Sequence, residues 1–150
     1  MTALTRKEFL GAKIALRTER VPAPEFGDSA EIVVQEMTVA AREVYSDGLM
    51  VEDPNDPDEK GAPRLKPRIG QMYARLAAFS IVDENGKLQF VAPDEAGLLR
   101  LADDDLNAIC AMPSVLIERV AKAAQRVSGI SEASAEAARK NSPAGPSAGS

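Results

Sequence analysis

Apolar positions along this chain recur at two periods. Near the start, Thr5 and Glu8 stand at the spacing of a capping box, and Leu4, Phe9 and Leu10 supply the apolar side of a short helix that Gly11 ends. Over residues 14–21 the period shortens to two: Ile14 and Leu16 alternate with polar neighbours, and Thr18 and Val21 suit a pleated surface. Pro22 and Pro24 cannot sit in a central strand, because proline offers no backbone donor. A turn-rich stretch over 25–29 leads to a second strand-like run over 31–37. The two runs predict a β-hairpin.

Thr38 then stands as the N-cap of a helix over 39–45, closed by Ser46, Asp47 and Gly48. Residues 47–66 are rich in Pro, Asp and Gly, with Leu49, Met50 and Val51 as their main apolar content, and are expected to form a mobile, exposed acidic loop. Pro67 suits the first turn of a helix, and Ile69, Met72, Tyr73, Leu76, Ala77 and Ser80 follow at three- and four-residue spacing. That pattern predicts the central core helix. A turn at 83–86 precedes a short edge strand at 87–91. Pro93, Asp94 and Glu95 open a further helix with Leu98, Leu99 and Leu101 inward. Asp103, Asp104 and Asp105 put negative charge at the next helix start, where the helix dipole favours it, with Leu106, Ile109 and Cys110 inward. Pro113 and Ser114 begin the last helix, whose apolar positions are Val115, Leu116, Ile117, Val120, Ala121, Ala124 and Val127; Gly129 stops it. Residues 131–139 read as a marginal helix and 141–150 as a disordered tail.

These elements sum to an α+β fold: a small antiparallel hairpin or three-stranded sheet packed with four to six helices, followed by a disordered C-terminal tail. A single globular domain is expected over 1–130. Its core should close around Met72, Leu76, Leu101, Ile109, Leu116 and Val120. The length of 150 residues agrees with one domain and a real core.

Composition then narrows the chemistry. With no His, the usual Ser-His-Asp and Cys-His nucleophiles and His-based metal sites are excluded. One Cys excludes an intramolecular disulfide and a thiolate zinc cluster. A net charge of −5 argues against nucleic-acid binding over the whole surface. No apolar run approaches the roughly 20 residues of a membrane span, and the first residues lack the apolar core of a signal peptide. A cytosolic, reduced protein is expected.

Each candidate motif has a plain structural reading. The acidic run Asp53, Asp56, Asp58 and Glu59 fails as a calcium loop. From Asp53, position six is Asp58 rather than glycine; from Asp56, position twelve is Pro67 rather than glutamate. Asp103–Asp105 reads as helix capping rather than a magnesium site, since adjacent side chains at a helix start diverge. Cys110, without a partner to activate it, reads as a small buried hydrophobe. No phosphate-binding glycine loop is present. Arg6, Lys7, Lys13, Arg17 and Arg20 make the first 20 residues positive against Glu8 and Glu19, a solvated face or a patch for an acidic partner. No residue is assigned a catalytic, cofactor-binding or metal-binding role.

The order of these segments resembles the tail assembly chaperones of long, non-contractile-tailed bacteriophages. Four stretches carry it: RTERVPAPEFGDSAEIVVQEMT with the AAREVY helix; PRIGQMYARLAAFSIVDENGKLQF after a variable acidic insertion; PDEAGLLRLADDDLNAI; and VLIERVAKAAQRVSGIS before a polar tail. They cover about residues 4–131. The resemblance implies a non-catalytic protein of the host cytoplasm, absent from the finished virion. It would bind the tape measure protein, keep it soluble and recruit the major tail tube protein, with no nucleic acid, membrane, cofactor or small-molecule substrate. A longer frameshifted product and self-association are further properties found in the family. The flexible thioethers of Met37, Met50, Met72 and Met112 suit adaptable binding, and the hairpin with its adjoining helix faces is the expected contact surface. Two other classes stand beside it: a permanent structural component of the tail, such as a connector or tube-associated protein, and an enzyme built on converging carboxylates.

Overall fold

α1 (Arg6–Gly11) is closed at its start by both halves of the capping box: Glu8 N donates to Thr5 Oγ1 at 3.2 Å, and Thr5 N donates to Glu8 Oε2 at 2.8 Å. β1 (Thr18–Pro22) ends where Pro22 has no donor, and a 3-10 turn over Pro24–Phe26 follows. Gly27, at φ 145°, turns the chain into β2 (Glu31–Gln35). Thr38 caps α2 (Val39–Asp47) by accepting from Ala41 N at 3.2 Å. β3 (Met50–Pro57) and β4 (Pro63–Pro67) come next, then α3 (Met72–Ala78), β5 (Ile81–Val82), β6 (Val91–Pro93) and β7 (Leu99–Leu101). α4 (Asp103–Cys110) and α5 (Ser114–Ser128) complete the computed structural model, which describes residues 2–68 and 70–130.

The fold is α+β: five helices with small antiparallel sheets among the described residues. The main sheet has the order β1-β2-β5, while β3-β4 and β6-β7 are two-stranded hairpins. Val21 pairs with Ile32, and Val34 with Ile81, so these four share one face. α5 lies across that face. Val21, Ala23, Val34, Leu116, Val120, Ala123 and Val127 close the first part of the core. Ala121 and Ala124, on another side of α5, meet Met37, Ala41, Tyr45, Leu76 and Phe79. The rings of Tyr45 and Phe79 pack edge-on, 6.2 Å apart and inclined by 65°. Ala74 and Ala78 of α3 meet Leu106 and Ile109 of α4. α5 ends as its glycine predicts. Gly129, at φ 69°, donates to Arg126 O and Ile130 N donates to Gln125 O, the paired bonds of a Schellman motif.

Several expectations need correction. Residues 47–66 are not a loop: most of the segment forms the β3-β4 hairpin, with Glu52 opposite Leu65 and Asp53 opposite Arg64. Asp58 makes its tip, accepting from Lys60 N at 2.8 Å and Ala62 N at 2.9 Å. Pro67 closes β4 instead of opening a helix, and α3 begins five residues later. Pro93, Asp94 and Glu95 open no helix. Asp94 accepts from Ala96 N and Leu98 N, Gly97 takes φ 84°, and the chain folds back as β6-β7. Leu98 is consequently exposed and Leu99 and Leu101 half-buried. The expected central helix, α3, is central although shorter than its pattern suggests: Ala77 enters the first part of the core, Leu76 the second, and Ala74 and Ala78 the third, while buried residues of α5 supply the first two. In the expected core list Leu76, Ile109, Leu116 and Val120 are buried, but Met72 and Leu101 only half so. Ile69, together with the marginal helix and tail expected over 131–150, lies outside the described residues.

Candidate functional site: an apolar groove at the hairpin turn

The prolines that end β1 place an aromatic ring at the surface. Ala23 N donates to Ala30 O at 2.9 Å and Ala30 N to Gly27 O at 3.0 Å, closing the turn tightly and leaving Phe26 60% exposed. Arg119 of α5 braces this turn. Its two terminal nitrogens donate to the carboxylate oxygens of Glu25 at 3.0 Å each, and Nη1 also reaches Pro22 O at 3.0 Å. The same pairing holds the Glu25 carboxyl below its ordinary pKa and raises that of Arg119.

Beside the turn lies an open groove of about 270 Å³. Ile32 and Ile81 come from the sheet, Leu116 and Ile117 from the first turn of α5, and Ile109 from the end of α4. Phe26, Phe90 and Met112 add the other large apolar side chains; Met112 is 42% exposed. Glu31 is its one ionisable lining residue, and pairs with Arg20 at 3.6 Å. The volume lies just below the roughly 300–1,000 Å³ of clefts that enclose drug-sized ligands. Such a site has no acid–base pair or nucleophile to offer. What it can do is bury one or two large apolar side chains.

The residues singled out from the sequence are not gathered here. Asp53 faces Lys66 and Asp56 faces Arg64, each at 3.8 Å, along the β3-β4 hairpin. Asp103–Asp105 fill the first turn of α4, but Ala102 takes the N-cap position and no side-chain cap bond forms. Cys110 is exposed, contrary to expectation. Leu106 and Ile109 turn inward at three-residue spacing, and one residue further the helix has rotated about 100° away. Among the described residues no group of three His, Cys, Asp or Glu is placed to hold a metal ion. Arg17 faces Glu36, and Arg20 forks onto Glu84 at 3.1 and 2.6 Å, so the basic start is partly consumed by the sheet. The remaining cations Arg6, Lys7 and Lys13 stand on the N-terminal arm, residues 2–16. There Leu4, Phe9, Leu10 and Ile14 are all strongly exposed.

The groove was hidden in the sequence because its rim comes from breaks between elements. Phe26 sits between Pro24 and Gly27, and Met112 just before Pro113. A large apolar side chain in a proline or glycine break is the signal that could have marked both. No family model matches the chain, and searches of curated proteins and of solved structures find no match either. Among the described residues no helix is long and apolar enough to cross a membrane.

Proposed function

We propose that this chain is a tail assembly chaperone of the long, non-contractile-tailed bacteriophage type. It binds the tape measure protein, keeps that protein soluble and recruits tail tube subunits to it. The observation that carries the reading is the apolar groove beside the hairpin turn, open to solvent and flanked by Phe26 and Met112. An amphipathic helix recognises such a groove by inserting its apolar anchors, and thioether and aromatic rims adapt to varied sequences. The chain acts by binding and release, without catalysis, in the host cytoplasm, and leaves before the virion is complete. The hairpin, the end of α4 and the start of α5 stand as its contact surface.

The test is co-expression with the tape measure protein. The wild-type chain should increase the soluble fraction of that protein, and the Phe26→Glu/Met112→Glu chain should lose the effect. If tape measure solubility is the same with and without this chain, the reading fails. Mass spectrometry of purified virions separates it from a structural tail component, which would be present in the particle.

A further inference from the structure

Two arginines converge on one residue where α2 ends, and no carboxylate pairs with either. Arg68 Nε donates to Gly48 O at 2.9 Å. Arg75 reaches the same glycine from α3: a Cβ at position 48 would fall 1.9 Å from its Nη2 and 2.5 Å from its Cζ, so the missing side chain is what admits the guanidinium. Both arginines are half-buried. Neither makes an ion pair with a described residue. Arg75 Nε is closed off from solvent and has no hydrogen-bond partner. The C-terminus of α2 sets roughly half an elementary negative charge against two positive ones. Asp103 acts on Arg75 more weakly than burial and Arg68 do, and those two lower the Arg75 pKa. Beside the pair, Gln71 takes a φ of 63°, the one positive value outside glycine among the described residues, and its Oε1 accepts from Arg68 Nη1 at 3.5 Å. Uncompensated charge and a strained backbone in one place are marks of a binding site.

We propose that Arg68 and Arg75 bind the dianion of a phosphoryl group, as inorganic phosphate or as a phosphate monoester. Two guanidinium forks carry two positive charges and more donors than a single carboxylate can satisfy, since a carboxylate has one charge and two oxygens. A phosphoryl dianion brings a charge of about −2 and three acceptor oxygens, enough to meet both forks at once. With its Nε closed off, Arg75 has its terminal nitrogens left to donate, and Arg68 is aimed by its bonds to Gly48 and Gln71. An anion seated between them would end the repulsion that the pair now carries. Gly48, Arg68, Gln71 and Arg75 line no part of the apolar groove, so this site is separate from the surface assigned to the chaperone reading.

The test is isothermal titration of the full chain, at low ionic strength, with inorganic phosphate, methyl phosphate and acetate. Wild type should bind inorganic phosphate saturably and acetate at least about tenfold more weakly. Equal affinity for methyl phosphate would assign a phosphoryl group carried on a larger molecule, and its failure to bind would assign the free ion. Arg68→Gln and Arg75→Gln should each weaken phosphate binding by about tenfold or more. Arg64→Gln removes the same charge from the exposed β3-β4 hairpin and should leave binding intact. Gly48→Ala keeps every charge but pushes Arg75 aside, so it too should weaken binding; it decides the matter if Arg75→Gln does not fold. Phosphate should also raise the melting temperature of the wild-type chain and not that of the Gln variants of Arg68 and Arg75. No saturable phosphate binding overturns the proposal. So does acetate binding as tightly as phosphate, an affinity unchanged by Gly48→Ala, or a loss in Arg64→Gln equal to that in Arg68→Gln, which would mean attraction to positive charge in general.

Discussion

Gly48 shows how little of a residue's reason can lie in its own backbone. Its φ of −68° is ordinary helix, so no left-handed conformation demands glycine. What forbids a side chain is Arg75. A Cβ on residue 48 would fall 1.9 Å from Arg75 Nη2, while Arg68 Nε donates to Gly48 O at 2.9 Å. Burial, and after it the Arg68 charge, pushes the Arg75 guanidinium pKa down, and its Nε has no partner. Gly48→Ala should therefore cost about 1 kcal/mol by forcing Arg75 aside. That cost should shrink in an Arg75→Ala background, as a urea-denaturation double-mutant cycle would read. Ser80 gives the opposite sign. It is fully buried and its Oγ finds no partner, so Ser80→Ala should raise the unfolding free energy by about 1 kcal/mol. Neither residue announces itself in the sequence, because each depends on a neighbour distant along the chain or on a missing partner. Thr5, Thr38 and Gly129 were legible because a cap needs only residues within one turn of itself.

At the scale of elements, one short phrase was read in three ways where the structure has a single answer. Asp58, Asp83 and Asp94 each begin a D-E-x-G sequence. In all three the aspartate Oδ1 accepts from the amides two and four residues on, and the glycine takes a φ of 80–86°. This is the hairpin loop of a type I turn followed by a left-handed glycine. The phrase at 83 was legible as a turn. The one at 58 was lost in an acidic loop, and the one at 94 behind a proline and leucines that imitate a helix start. Gly86→Ala should cost about 1–2 kcal/mol in global stability, since its turn continues the core strand β5. Gly61→Ala carries the same strain in a hairpin that is mostly exposed, so it should leave the global midpoint nearly unchanged and speed amide exchange over β3 and β4. The turns also set an acid dependence. Backbone amides from Lys87 and Asn85 lower the pKa of Asp83; Arg100 first, and then the Leu98 amide, lower that of Asp94. A depressed folded-state pKa gives stability that is complete above the unfolded value, near 4, and is lost as pH falls through the lower folded one. Asp83→Asn should flatten that fall between mildly acidic and strongly acidic buffer, measured as the change in urea midpoint.

For the whole molecule, the central question is what holds the groove in shape, and the sheet alone does not. Two arginines seven residues apart on α5 grip the first strand: Arg119 takes Glu25 and Pro22 O, and Arg126 takes Glu19. The heptad-like spacing of these cations could be read from the sequence, but their targets could not, since each lies more than ninety residues away. The same limit applied to the core. Apolar spacing identified Leu116 and Val120 as inward-facing, yet could not say that α5 would serve two parts of the core or that Leu4 and Phe9, with equal periodicity, would stay uncovered. Arg119 thus ties the last helix to the turn that borders the groove. It is about one-third exposed, so solvent screens its pairing, and Arg119→Gln should leave the global urea midpoint nearly unchanged. Locally the loss should be larger, because the Pro24–Phe26 turn packs no buried residue of its own to hold it. Amide exchange at Ala23, Phe26, Gly27 and Ala30 should quicken severalfold while the amides of β2 and α5 hold, and with Phe26 unfixed the groove should bind apolar side chains more weakly. Unchanged exchange across 23–30 would mean that the backbone bonds of the turn suffice and that Arg119 is only a surface pair. Because Glu25 titrates below its ordinary value, the brace should persist in mildly acidic solution and give way only as pH falls through that lowered pKa.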